Sequence, residues 1–132
     1  MSFTGYDSRS EVSNLVGKTF TKIERFEDEL IFWAENKSDS YALFHEQDCC
    51  ETVYLEDVIG DLADLENSPI LLAEEASSTD LPPISEDDES YTWTFYKFST
   101  IKGSVTLRWY GVSNGYYSER VTCGRWKDSS GE

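Results

Sequence analysis

A chain of 132 residues fits one domain, 1–132, and is long enough to bury a core without disulfide staples. Its net charge of −15, from 26 acidic and 11 basic side chains, argues against direct binding to nucleic-acid phosphates. Aromatic residues make up 14% of it, more than an acidic disordered chain carries, so a folded core is expected.

Residues 1–10 are polar and lack an apolar signal core, so no signal peptide is read there. Ser8 and Glu11 have capping-box spacing and predict a short helix from Arg9 to Val16, stopped by Gly17. Strands follow at Phe20–Ile23, Leu30–Trp33 and Tyr41–Phe44, the last two joined by a hairpin loop at Glu35–Ser38. Leu55, Val58, Ile59, Leu62 and Leu65 recur at helical spacing and predict a second helix. Ile70–Ala73 reads as a short strand. The segment 74–90 is rich in Ser, Pro and acids, and predicts an acidic mobile loop. Tyr91–Phe98 and the alternating Val105, Leu107 and Trp109 predict two more strands. Asn114-Gly115 marks a hairpin turn into a final strand, Tyr116–Cys123, followed by a frayed tail at 124–132. The expected fold is α+β: an antiparallel sheet of about six or seven strands with two short helices.

Charge is segregated along the chain. Residues 38–96 hold 16 acidic residues and no Lys or Arg, whereas 97–132 carry a net charge of +3. A stretch that cannot neutralise itself favours a basic protein partner or a metal cation. On the predicted helix, Asp57, Asp61 and Asp64 share one face, and Glu86, Asp87, Asp88 and Glu89 add a second acidic patch. These seven residues are the expected partner-binding set. A solvated helix face plus an acidic linker is the ordinary alternative for either patch alone.

The densest chemistry is His45-Glu46-Gln47-Asp48-Cys49-Cys50-Glu51, which holds the only histidine and two of three cysteines. An odd cysteine count with an adjacent pair makes a poor disulfide framework. Thiolate, imidazole and carboxylate are zinc ligands, so a structural zinc on His45, Cys49, Cys50 and Cys123 is expected, with Asp48 or Glu51 as possible oxygen donors. The competing reading makes the cysteines small apolar core residues. One histidine, with no phosphate loop and no nucleophile elbow, predicts no catalytic residue and no enzyme activity. No apolar run approaches the ~20 residues that span a bilayer, so no membrane association is expected.

LVGKTFTKIE at Leu15–Glu24, HEQDCCETVYLEDVIGDL at His45–Leu62, SPI at Ser68–Ile70 and the long block Ser90–Glu119 resemble a family of small proteins from phages and mobile elements of Gram-positive bacteria. A small acidic phage protein of this build is also similar to type II-A anti-CRISPR inhibitors. That resemblance implies stoichiometric binding to Cas9 in the bacterial host cytoplasm and denial of target DNA, by a monomer with a structural zinc. Two rival expectations stand beside it: a phage metalloprotein that binds another basic host protein, and a small thiol or zinc hydrolase using His45.

Overall fold

The computed structural model describes residues 6–45 and 50–126. Nine strands occur there: β1 (Tyr6–Ser10), β2 (Lys22–Phe26), β3 (Glu29–Trp33), β4 (Tyr41–Phe44), β5 (Thr52–Ile59), β6 (Leu72–Ser78), β7 (Ser90–Thr100), β8 (Gly103–Ser113) and β9 (Thr122–Trp126). They form a five-stranded sheet in the order β1-β9-β4-β3-β2 and a four-stranded sheet in the order β5-β8-β7-β6. Every strand pairing is antiparallel.

Period-two alternation places the core between the sheets. On β3, Leu30 and Phe32 face the shared core, while Ile31 turns outward to Ala42 and Phe44. Tyr96 and Phe98 of β7, and Val105, Leu107 and Trp109 of β8, supply the opposite wall. Phe32 meets Phe98 across the interface with ring centroids 5.0 Å apart. Each such buried side chain stabilises the fold by about 1.5–3 kcal/mol.

Antiparallel pairing is as expected, but the single sheet of six or seven strands is instead two sheets with nine strands among the described residues, and the α component is not found there. Among the described residues the helical elements are the 3-10 turns Val12–Leu15, Lys37–Asp39 and Leu62–Leu65. Ser8 belongs to β1, and Glu11 makes no side-chain cap. Val12 and Leu15 are buried at the i, i+3 spacing of a single 3-10 turn. The second expected helix is β5 followed by the turn Leu62–Leu65, and the cause is a β-bulge. Pairing with β8 slips between Leu55 and Asp57, so the core-facing series runs Val53, Leu55, Val58. A bulge inserts one residue and turns a strand's i, i+2 pattern into an apparent i, i+3. Gly60 ends this strand at φ +116°, and a Cβ there would lie 2.7 Å from the Ser104 carbonyl oxygen.

Two loop expectations also change. β6 runs through Ser78, so the loop starting near residue 74 is in fact 79–89. β9 does not form a hairpin with β8; it pairs with β4 and β1 in the other sheet. Residues 114–121 are therefore a crossover between sheets. Strand structure continues to Trp126, and the rest of the expected tail lies outside the described residues.

Segment 79–89 is strapped onto the outer face of the four-stranded sheet. Tyr54, Tyr91 and Trp93 surround Tyr110 there, with ring centroids 6.0, 6.1 and 4.5 Å away. Trp93 Nε1 donates to the Pro82 carbonyl at 3.0 Å, and the Tyr91 hydroxyl donates to the Leu81 carbonyl at 2.8 Å. The Tyr110 hydroxyl accepts from the Ile84 amide at 3.0 Å and donates to Asp88 Oδ2 at 2.6 Å. Burial first, then the bond to Asp88, pushes the Tyr110 phenol up from 10.0 to about 12.

A raised phenol pKa favours the neutral form in the fold. The stability it contributes is complete below about pH 10 and is lost as pH rises through about 12. Tyr110→Phe removes both bonds and should cost about 1–3 kcal/mol in chemical denaturation. It should also speed proteolytic cleavage within 79–89 and flatten the alkaline part of the stability profile. Unchanged cleavage and an unchanged alkaline profile would show that this hydroxyl does not hold the strap.

Candidate functional site: a polar cleft and a histidine latch at the crossover

β7 presents Ser90, Thr92 and Thr94 on the face that carries Tyr96 and Phe98 farther along. The core-facing side of this sheet thus changes from apolar to hydroxyl-bearing along its length. The crossover 114–121 fills that end. Glu119 reaches in, and its carboxylate accepts from three hydroxyls. Ser90 Oγ and Ser113 Oγ donate to Oε2 at 2.6 Å each, and Thr92 Oγ1 donates to Oε1 at 2.7 Å. Gly111 makes the approach possible. A Cβ there would meet the Glu119 carbonyl oxygen at 2.7 Å and its Cβ at 2.9 Å. Beside this cradle opens a cleft of about 360 Å³, lined by residues that include Glu75, Ser77, Thr94, Tyr117, Glu119 and Arg120.

The next residue carries the latch. The Arg120 carbonyl lies 2.7 Å from His45 Nδ1, and Glu51 Oε2 lies 2.7 Å from His45 Nε2. A carbonyl only accepts, so the network assigns the hydrogen to Nδ1. One further proton sits between Nε2 and Glu51, making either an imidazolium–carboxylate pair or a neutral imidazole accepting from a carboxylic acid. The side chains of His45 and Glu51 are 5% and 0% exposed, so this pair is a buried tie. It joins the end of β4, the start of β5 and the crossover.

The expected zinc ligands have different surroundings in this arrangement. Both His45 nitrogens are bonded. Cys50 is disulfide-bonded, against the expectation of free thiols at the adjacent pair. Cys123 is free and buried, opposite Leu43 in the core cluster. Burial first, then the Glu75 charge, pushes its thiol up to about 12. Cys49, Glu46 and Asp48 lie outside the described residues. Among the described residues, no group of three or more His, Cys, Asp or Glu side chains could hold a metal ion. A zinc on His45 Nε2 would take the place of the proton shared with Glu51, and the described residues alone do not supply a full ligand set for it.

The acidic candidates are brought together only in part. Asp57 accepts from the Val58 amide and faces Arg108 Nη2 at 3.5 Å. Asp61 caps the Leu62–Leu65 turn by accepting from the Ala63 amide. Asp64 lies in that turn, and its carbonyl accepts from the Thr100 hydroxyl. The helical stripe of three aspartates is therefore absent, because its helix is a strand and a turn. Glu86, Asp87 and Glu89 are exposed on the strap, while Asp88 is held by Tyr110. Glu74 and Glu75 of the edge strand β6 are exposed nearby in sequence. Glu119 and Glu75 were not anticipated. The legible signal was Ser90, Thr92 and Thr94, polar at period two on what becomes a core-facing surface.

A family model described as "Domain of unknown function (DUF7448)" matches residues 13–123. No curated protein and no solved structure matches the chain. No helix among the described residues is long and apolar enough to cross a membrane.

Removing one partner of a buried pair costs about 3–5 kcal/mol. His45→Ala should therefore destabilise the protein by about that amount in thermal or urea unfolding. The loss should be the same with a chelator present. A loss that disappears when both proteins are measured in chelator would assign His45 to a metal instead.

Proposed function

The chain belongs to the DUF7448 family, and from its acidic edge we propose that it is a binding module that acts by occupying a basic protein. The observation that carries the proposal is a concentration of uncompensated charge. Edge strand β6 exposes Glu74 and Glu75, and the strap that follows exposes Asp80, Glu86, Asp87 and Glu89. No Lys or Arg occurs from 38 to 96, and the cation set directly against β6 is Lys97, across from Glu74. The strap's bonds to Tyr91, Trp93 and Tyr110 hold these charges on a rigid sheet. Rigidity lowers the ordering cost of binding.

Cas9 is the candidate partner by resemblance to type II-A anti-CRISPR inhibitors, and its heteroduplex channel is positively charged. An anionic surface docked there competes with phosphates for the same Lys and Arg groups. Such action is stoichiometric and requires no catalytic residue.

Cleavage assays with purified Cas9 orthologues, read beside a gel-shift of target DNA, test this proposal. Inhibition should reach its end point near equimolar protein and leave Cas9 and guide RNA intact. Replacing Glu86, Asp87 and Glu89 by Gln, Asn and Gln should slow association severalfold and weaken its salt dependence, with little change in dissociation. Failure to inhibit any orthologue would remove Cas9 as the partner. Salt-independent binding would remove the acidic edge as the interface.

A further inference from the structure

The strap 79–89 meets the outer face of the four-stranded sheet through its main chain rather than through its apolar side chains. Leu81 and Ile84 stay 43% and 53% exposed. The Tyr91 hydroxyl donates to the Leu81 carbonyl at 2.8 Å and shares that hydrogen with the Thr79 carbonyl at 3.2 Å. Trp93 Nε1 donates to the next carbonyl, that of Pro82, at 3.0 Å. The Tyr110 hydroxyl accepts from the Ile84 amide at 3.0 Å. Along the strap the sheet thus presents two donors and then one acceptor.

That order matches a particular backbone. Residues 82 and 83 are both proline and have no N–H to satisfy. A segment x-Pro-Pro-x offers two carbonyls, no amide in the middle, and one amide at its end. The donors stand on an aromatic floor of Tyr54, Tyr91, Trp93 and Tyr110, which the Arg108 guanidinium extends at 5.6 Å from the Trp93 ring. Aromatic rings carrying indole and phenol donors suit extended proline segments, whose backbone is preordered and open to hydrogen bonding. These contacts read main chain and not Leu81 or Ile84, so another segment with the same backbone pattern can make them equally well.

We infer that this aromatic face is a docking site for an extended Pro-Pro segment of a partner protein, and that the strap is its internal competitor. The inference goes beyond the acidic-edge reading and does not rest on it. The strap is joined at both ends to adjacent strands, β6 at Ser78 and β7 at Ser90, which ties it to its own sheet and disfavours a second copy as the occupant. Asp88 adds a side-chain anchor by accepting from the Tyr110 hydroxyl at 2.6 Å, so its removal loosens the strap and leaves the aromatic face intact.

An NMR titration with a synthetic peptide of residues 79–89 tests this. The hosts are the parent chain, Asp88→Ala, and a chain whose residues 79–89 are replaced by an equally long Gly-Ser linker. In the linker chain the peptide should shift the Trp93 indole N–H and the amides of 91–93 and 108–110. Binding to the parent should be about tenfold weaker, because its own strap fills the face. Asp88→Ala should fall between the two, and it decides the matter if the linker chain does not fold. A peptide carrying Pro82→Ala and Pro83→Ala should bind about fivefold more weakly, since it brings two amides that the face cannot accept. No binding to either loosened chain, equal affinity for parent and loosened chains, equal binding of the alanine peptide, or shifts away from the aromatic face would overturn the site. Dimerisation of the parent chain that the peptide reverses would overturn it in favour of strap exchange between copies.

Discussion

The Glu119 carboxylate is held by hydroxyls from β7 and β8, and its residue lies on the segment that leaves that sheet for the other one. β9 then pairs with both β4 and β1, so the placement of two strand pairings follows from where the crossover lands. Gly111 permits the landing by leaving space under Glu119. One residue farther on, the Arg120 carbonyl is tied to His45, and His45 to Glu51. The β4–β5 connection and the crossover are thereby fixed to each other. Polar bonds do this work at the end of the interior where apolar side chains give way to Ser and Thr.

That division of labour separates a cohesive apolar interior from a polar, open end. The apolar half of the interior, around Phe32, Phe98, Leu107 and Trp109, supplies cohesion and offers nothing to a partner. The polar half opens as a cleft with carboxylates in its wall. The acidic strap covers the outer aromatic face, where it hides Trp93 and Tyr110 and leaves its own charges exposed. An edge strand with glutamates also discourages edge-to-edge association.

The strands were legible where an apolar run or a simple alternation marked them. Tyr41–Phe44 falls where its composition placed it, and Val105, Leu107 and Trp109 face the core as their alternation required. The segment Leu55–Leu65 differs from its periodicity because a bulge converts period two into apparent period three, and the partner strand that sets the bulge, β8, is remote in sequence. Asn114-Gly115 carried a true turn signal, but local residues do not say which sheet receives the next strand. His45 stands out in the sequence as the only histidine, close to two cysteines. Its actual partners, Glu51 and the Arg120 carbonyl, include a backbone atom 75 residues away that no spacing rule reveals. Glu119 was invisible for the same reason: its donors are ordinary serines and threonines until the fold collects them.

The central claim is that the crossover, seated on Gly111 and pinned by Glu119, closes the two sheets onto each other. Hydrogen exchange of Gly111→Ala against the parent chain tests it most directly. An added Cβ at 2.7 Å from the Glu119 carbonyl oxygen must displace the crossover, at a cost of about 1–3 kcal/mol for an overpacked site. The account predicts faster exchange at 117–121 and in β9 and β4, with the β2–β3 pairing least affected. Uniform exchange across both sheets, or no change at all, would contradict it.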